Sequence, residues 1–89
     1  MTDSDPATIL QQAVYQLETG NPEQAAEFAG QALESAPENA EAIFLLGRCR
    51  ALLNQNTEAI NVLEQASEKL PDRLELFNLL GHLLYHERH

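Results

Sequence analysis

Residues 43–71 read IFLLGRCRALLNQNTEAINVLEQASEKLP, and this stretch decides the fold. An apolar segment with Gly47 near its start leads into a polar turn at Asn54, and a second amphipathic segment carries Ala59 and Ala66 before Pro71. Apolar residues at helical spacing on both sides of a short polar turn predict two antiparallel helices.

The same pattern recurs along the chain at a fixed step, the one that leads from Pro37 to Pro71. This step also relates Ala25 to Ala59, Ala32 to Ala66, and the series Ala13, Gly47, Gly81. A 34-residue period predicts a stacked array of helical units whose surface binds another molecule, without indicating which one.

The predicted architecture is one all-α domain of five helices. Residues 6–39 form a first unit, residues 40–73 a second, and residues 74–89 a half repeat or capping helix. Residues 1–5 are expected to be a disordered acidic N-terminus. With Trp absent and few aromatic residues, the core should consist mostly of Leu and Ala.

Capping residues and prolines predict where the helices begin. The first helix should end at the Gly20–Asn21 turn, and the second and fourth should end before prolines. The predicted starts are Asp5, Asn21 with Gln24 in a capping box, Asn39, Thr57, and Asp72 with Glu75.

Charge and composition exclude several classes of partner. Fourteen acidic and five basic residues give a formal net charge of −9, which repels nucleic acid and anionic lipid surfaces. Membrane spanning is also excluded, since no apolar run approaches about 20 residues. The first residues lack the features of a signal peptide, and the single cysteine cannot form an internal disulfide, so we expect a cytoplasmic protein.

Residues in the first helix of each unit sort into three stripes by their i, i+3, i+4 spacing. The first stripe has a small residue at its centre, which permits close helix contact, and we expect it to face the neighbouring unit. Its members are Ile9, Ala13, Gln16, then Ile43, Gly47, Arg50, then Leu74, Phe77, Gly81, Leu84.

The second stripe is expected to pack on the helix that follows in the same unit. Its members are Thr8, Gln12, Tyr15, then Ala42, Leu46, Cys49, Leu53, then Leu76, Leu80, Leu83. Cys49 is therefore interpreted as a core residue, since nothing in the spacing supplies a base for a catalytic thiol.

The segment Ile43-x-x-Leu46-Gly47, followed by Ala59, Ala66 and Pro71, resembles the tetratricopeptide repeat. Phe77-x-x-Leu80-Gly81 begins the same pattern again, and the likeness extends over nearly the whole chain from Pro6. The departures are Ile9 and Ile43 where the family prefers Trp, Gln16, Arg50 and Leu84 where it prefers Tyr, and Ala29 and Leu63 where an aromatic residue is usual.

The resemblance implies a right-handed superhelix whose first helices line a concave groove that binds a peptide or a partner protein. By that likeness the third stripe, which is the remaining face of each first helix, lines the groove. The resemblance also implies a non-catalytic adaptor without cofactors. The expected groove residues are Leu10, Val14, Leu17, Phe44, Arg48, Asn78, His82 and Tyr85. Alternatively, so few repeats curve little, and Leu17 and Phe44 merely fill space between helices.

One tetratricopeptide subclass grips a peptide's C-terminal carboxylate with Lys, Asn and Arg side chains. The matching positions here hold other residues, so such a partner is not expected. They are Leu10, Val14, Leu45, Glu75 and Leu79.

Three histidines near the end of the chain are candidate metal ligands. His82, His86 and His89 share one helical face, with spacing that suits a divalent ion. No carboxylate or supporting hydrogen-bond partner is identifiable beside them, so the sequence favours exposed histidines without a native metal.

The apolar face of the C-terminal helix is expected to be exposed. Its residues Leu76, Leu80 and Leu83 should pack on the second helix of the third unit, and this sequence contains no such helix. One explanation is a homodimer that pairs these leucines about a two-fold axis. The other is that the chain is the N-terminal piece of a longer protein, such as an accessory domain of a larger enzyme.

Overall fold

The computed structural model describes residues 5–87, and five α-helices and no strands are found in that range. Each helix packs on the next in chain order, and the molecule measures 47 × 26 × 19 Å. The predicted all-α helical repeat is thus confirmed. The helices are α1 (Pro6–Glu18), α2 (Pro22–Ser35), α3 (Ala40–Leu52), α4 (Asn56–Lys69) and α5 (Leu74–Glu87).

The turns inside the two hairpins have the same conformation, although their sequences differ. Gly20 has φ +89°, and Asn54, at the equivalent position of the second hairpin, has φ +62°. Asparagine is among the few residues other than glycine that readily adopt this left-handed region. The repeat period therefore continues through the turn with Asn54 in place of glycine.

Side chains close these turns at the positions where the family resemblance expects tyrosine. The Nδ2 of Asn21 donates to Oε1 of Gln16 at 3.2 Å, and Nη1 of Arg50 donates to Oε1 of Gln55 at 2.8 Å. Each bond joins the end of the first helix to the start of the second. A polar link therefore occupies the site of an aromatic contact in both hairpins.

Most predicted helix starts are close to the observed ones, but the last two are wrong. Asn39 caps α3, and its Oδ1 accepts a hydrogen bond from the Ala42 amide at 3.1 Å. Helix α4 begins at Asn56, so Thr57 is not its cap. Helix α5 begins at Leu74, so Asp72 is not its cap. The capping box is also wrong, because Asn21 makes no side-chain cap bond. Asp5 accepts from the Ala7 amide at 3.4 Å, and the rest of the segment expected to be disordered lies outside the described residues.

The first stripe packs on the partner helix in the same hairpin, where the sequence predicts contact with the neighbouring unit. A Cβ atom added to Gly47 would lie 2.6 Å from Cδ2 and 2.7 Å from Cγ of Leu63 in α4. In the first hairpin Ala13 clusters with Ala25, and Ile9 with Ala32. The small central residue thus serves close approach within each hairpin.

The second stripe packs on the preceding unit, which reverses the other expectation. Cys49 is fully buried in a cluster with Ala13, Leu17 and Ala25, so its core position is confirmed but its expected partner helix is wrong. Helical spacing groups residues into a face without specifying the neighbour that the face meets. The sequence thus groups the residues of each stripe correctly, but the packing partner expected for each stripe is wrong.

The same reversal explains the burial of the leucines that were expected to need a cover. Leu76, Leu80 and Leu83 are 0%, 8% and 5% exposed, and they form one cluster with Ala59, Leu63 and Ala66. Because α5 packs on α4 of the preceding unit, these leucines are core residues. The expectation that they lie unpartnered at the end of the stack is wrong.

The two ends of the stack expose different faces. At the N-terminal end Gln12 and Tyr15 of the second stripe are exposed, which gives a mostly polar surface. At the C-terminal end the first stripe of α5 lacks a partner helix among the described residues, and Leu74 and Phe77 are 71% and 41% exposed. The apolar end face is thus real but consists of other residues than expected.

Two ion pairs connect residues near the start of α3 to residues at and just after the end of α4. Lys69 pairs with Glu38, and Arg73 pairs with Glu41, donating from Nη1 to Oε1 at 3.1 Å and from Nη2 to Oε2. The hydrogen bonds from Arg73 hold the pKa of the Glu41 carboxyl below its usual range, with burial opposing them. Both pairs reach solvent, where water and salt screen them, so each contributes little to the free energy of unfolding.

Replacing Gly47 and Gly81 by alanine should have opposite effects on stability. Alanine in a helix interior is favoured over glycine by about 0.5–1 kcal/mol. At Gly47 the added methyl group clashes with the buried Leu63, and overpacking of this kind costs about 1–3 kcal/mol. At Gly81, the equivalent position of α5, no atom of residues 5–87 outside the neighbouring α5 backbone lies within 4 Å of the added Cβ.

We therefore expect Gly47→Ala to lower the free energy of unfolding by about 1–2 kcal/mol and Gly81→Ala to raise it by about 0.5–1 kcal/mol. Urea titrations followed by circular dichroism, at low protein concentration, measure both. An unchanged or increased stability of Gly47→Ala would contradict the close contact between α3 and α4.

The Glu41–Arg73 pair should contribute stability that depends on pH. Because the folded state lowers the pKa of Glu41 below its ordinary value of 4.5, the contribution is present above that pH and is lost as the pH falls through the folded pKa. Glu41→Gln should therefore be slightly less stable than the parent protein at pH 7 and equally stable in acid.

Denaturant titrations between pH 7 and pH 3 test this expectation. Glu68→Gln is the matched control, because Glu68 is exposed on α4 and makes no ion pair with residues 5–87. A difference between the parent protein and Glu41→Gln that stays constant over this pH range would sink the assignment.

Candidate functional site

A groove runs along the face formed by the first helices, α1, α3 and α5. One cavity of about 690 Å³ lies between the C-terminal halves of α3 and α5, and a smaller one of about 120 Å³ lies where α1, α3 and the start of α5 meet. Arg48, on an exposed position of α3, lines both cavities. The two cavities therefore adjoin at Arg48.

Phe44 supports two arginines at this point. The guanidinium carbons of Arg48 and Arg73 each lie 5.8 Å from the centre of the Phe44 ring, within the range of a cation–π interaction. Phe44 is only 5% exposed and packs into the core with Ile43. The ring therefore acts as a fixed support beneath the groove.

The structure brings together most of the predicted groove residues on α1 and α3 but fewer on α5. Leu10, Val14, Phe44 and Arg48 line the smaller cavity, and Arg48 and His82 line the larger one. Leu17 is 9% exposed and belongs to the core. This agrees with the alternative interpretation, in which Leu17 fills space between helices.

Asn78 and Tyr85 are exposed on α5 but line neither cavity. Their place in the groove stays a prediction.

Several lining residues were not predicted from the sequence. Leu52 is 61% exposed at the end of α3, and Leu79 lies opposite on α5, one turn before His82. Each lies one helical turn from a predicted groove residue, and this spacing could have identified both as groove residues. Arg73 was missed because it lies in a turn outside the repeating helices, and its approach depends on tertiary packing.

The five positions that match the carboxylate-gripping subclass remain mostly apolar in the groove. Leu10, Val14, Leu45 and Glu75 line the smaller cavity, and Leu79 lines the larger one. These side chains offer apolar contact, and Glu75 would repel a carboxylate. The arrangement is thus unlike the one that grips a chain terminus.

The histidine cluster has no third ligand in the part of the chain that is described. The rings of His82 and His86 lie with their centres 4.4 Å apart in an edge-to-face arrangement, and His89 lies outside the described residues. Between residues 5 and 87 no three His, Cys, Asp or Glu side chains are placed to hold a metal ion together. His82 and His86 therefore contribute two polar imidazole rings to the larger cavity, which Leu79 also lines.

Cys49 is placed for packing and not for nucleophilic chemistry. It is fully buried, and burial raises the pKa of its thiol, against the smaller opposing effect of the flanking arginines. A buried, protonated thiol is inert as a nucleophile.

Two findings bear on the class of protein. Residues 5–87 contain no helix that is both long and apolar enough to cross a membrane. No curated protein matches the chain significantly.

The tetratricopeptide repeat family model matches residues 16–83, which is most of the chain and covers the end of α1, all of α2, α3 and α4, and the larger part of α5. Repeats of this family are typically non-catalytic modules of protein–protein interaction. The observed helical hairpins and their repeat period agree with that match. The chain therefore belongs to the tetratricopeptide repeat family.

Proposed function

We propose that this protein is a non-catalytic adaptor that binds a peptide segment of a partner protein in the groove between α1, α3 and α5. The observation that carries the proposal is the pair of cavities that adjoin at Arg48. Family membership supports protein binding in general, and the cavities suggest where on this chain it takes place. A reducing, cytoplasmic setting suits a protein whose single cysteine is buried as a free thiol.

The groove offers exposed apolar side chains on both sides of Arg48. Leu52 is 61% exposed in the larger cavity and Val14 is 38% exposed in the smaller one. Exposed apolar side chains that line a concave surface together with a few polar groups are typical of a docking site. A segment lying along the groove would bury both at once.

Variants of exposed groove residues should lose partner binding without loss of fold. Phe44 is unsuitable for this purpose, because it is nearly fully buried and a charge there would unfold the domain. We expect Leu52→Glu and Val14→Glu to abolish capture of proteins that the parent domain retains from cell extract, measured by quantitative mass spectrometry.

Tyr15→Glu is the matched control, since Tyr15 is 63% exposed on α1 and lines neither groove cavity. Circular dichroism should show unchanged helix content in all three variants. If the same proteins are retained by Leu52→Glu and Val14→Glu as by the parent domain, partner binding does not use this groove.

A second candidate function, self-association through α5, is favoured by the apolar end face. Phe77 and Gly81 are the equivalents, one repeat later, of Ile43 and Gly47, which pack on α4. The corresponding face of α5 carries the exposed side chains of Leu74 and Phe77, and an added Cβ on Gly81 would meet only open space. The face therefore has the form of a helix-binding surface that no helix within residues 5–87 covers.

Two copies of this face are complementary when they cross in antiparallel fashion. If the two-fold axis passes midway between Phe77 and Gly81, each Phe77 ring lies over Gly81 of the second copy. Leu74 of each copy then lies opposite Leu84 of the other. Each aromatic ring would occupy the space that the absent side chain of glycine leaves open.

Sedimentation velocity over a range of concentrations tests the second candidate. The parent protein should form dimers at high micromolar concentration, and Phe77→Glu should be monomeric with unchanged helix content. Asn78→Glu is the control for added charge, because Asn78 lies beside this face on α5 and is already exposed. A parent protein that stays monomeric throughout would refute self-association.

A further inference from the structure

Arg48 differs from the other basic side chains that the structure describes. Lys69 and Arg73 each pair with a glutamate, and Arg50 donates to Gln55 at 2.8 Å. Arg48 makes no hydrogen bond or ion pair with any residue from 5 to 87, although the chain carries 14 carboxylates. A guanidinium left without an anion in so acidic a protein is available to one from outside.

The guanidinium of Arg48 is also positioned before any ligand arrives. It lies 5.8 Å from the ring centre of Phe44, which the core holds in place. A group that is already oriented loses less conformational entropy when it binds. Its planar array of donors matches the two oxygens of a carboxylate.

The surroundings of Arg48 limit the ligand to one negative charge. In the smaller cavity Arg73 is paired with Glu41, and Glu75 adds a further negative charge. Glu87 lines the larger cavity, so both cavities repel a further anion. Apolar side chains line the same two cavities, Val14 in the smaller one and Leu52 with Leu79 in the larger one. A ligand that fits is negative at its centre and apolar on both flanks.

We propose that the groove binds a peptide segment in which a single Asp or Glu side chain pairs with Arg48 and is flanked by apolar residues. This inference rests on the proposed groove function and names the chemistry of its ligand. An internal side chain is the source of the carboxylate, because the groove continues past Arg48 in both directions and does not end there as a site for a chain terminus would.

Selection from a random peptide library tests the proposal, with each peptide displayed so that its C-terminus is blocked. Enriched sequences should share one acidic residue between apolar residues. For a synthetic, C-terminally amidated peptide of that sequence, we expect Glu→Gln in the peptide and Arg48→Gln in the protein each to weaken binding at least about tenfold.

A double-mutant cycle connects the two groups. If the peptide carboxylate and Arg48 contact each other, the two changes together should weaken binding little more than either alone. Arg48→Glu should restore affinity for a peptide with Lys in place of the acidic residue. Arg50→Gln is the control, because Arg50 lies outside both groove cavities, and it should leave the affinity unchanged.

Three outcomes would overturn the inference. They are a failure to enrich any peptide, enrichment of peptides without an acidic residue, and acidic peptides that bind Arg48→Gln as tightly as the parent protein. If selected peptides lose binding to Leu52→Glu and Val14→Glu but not to Arg48→Gln, the groove function stands and this inference alone fails.

Discussion

The close approach of α3 to α4 at Gly47 is the contact on which the second unit depends. Leu63 fills the space where a side chain on Gly47 would lie, and it is fully buried there. Because Leu63 also belongs to the cluster that holds Leu76 and Leu80, the position of α4 fixes that of α5. A side chain missing from one helix thus determines how the last helix joins the stack.

The repeat period predicted the helical array from the sequence, since small residues and prolines at a 34-residue step are typical of stacked helical units. It even extends to the left-handed residue in each turn, Gly20 and Asn54, whose side chains differ. The period did not predict which neighbour each helical face meets. That assignment depends on how the hairpins are stacked, and helical spacing within a single helix does not contain it.

The groove, like the fold, could be predicted from the sequence only in part. Four residues on α1 and α3 could be placed from their helical face, because a stripe on successive first helices stays on one side of the stack. Leu17 could not, because its burial against Leu45 depends on the distance between α1 and α3. Arg73 could not either, since it reaches the Phe44 ring from a turn through its pairing with Glu41.

Cys49 gives the domain a built-in reporter of its own opening. It is the only thiol in the sequence, and it is fully buried where α3 meets α1 and α2. A thiol reagent can reach it only when the first hairpin separates from the second, so the labelling rate would measure how often the two hairpins part. In a stack of so few units, that rate would distinguish a domain that opens as a whole from one whose hairpins separate independently.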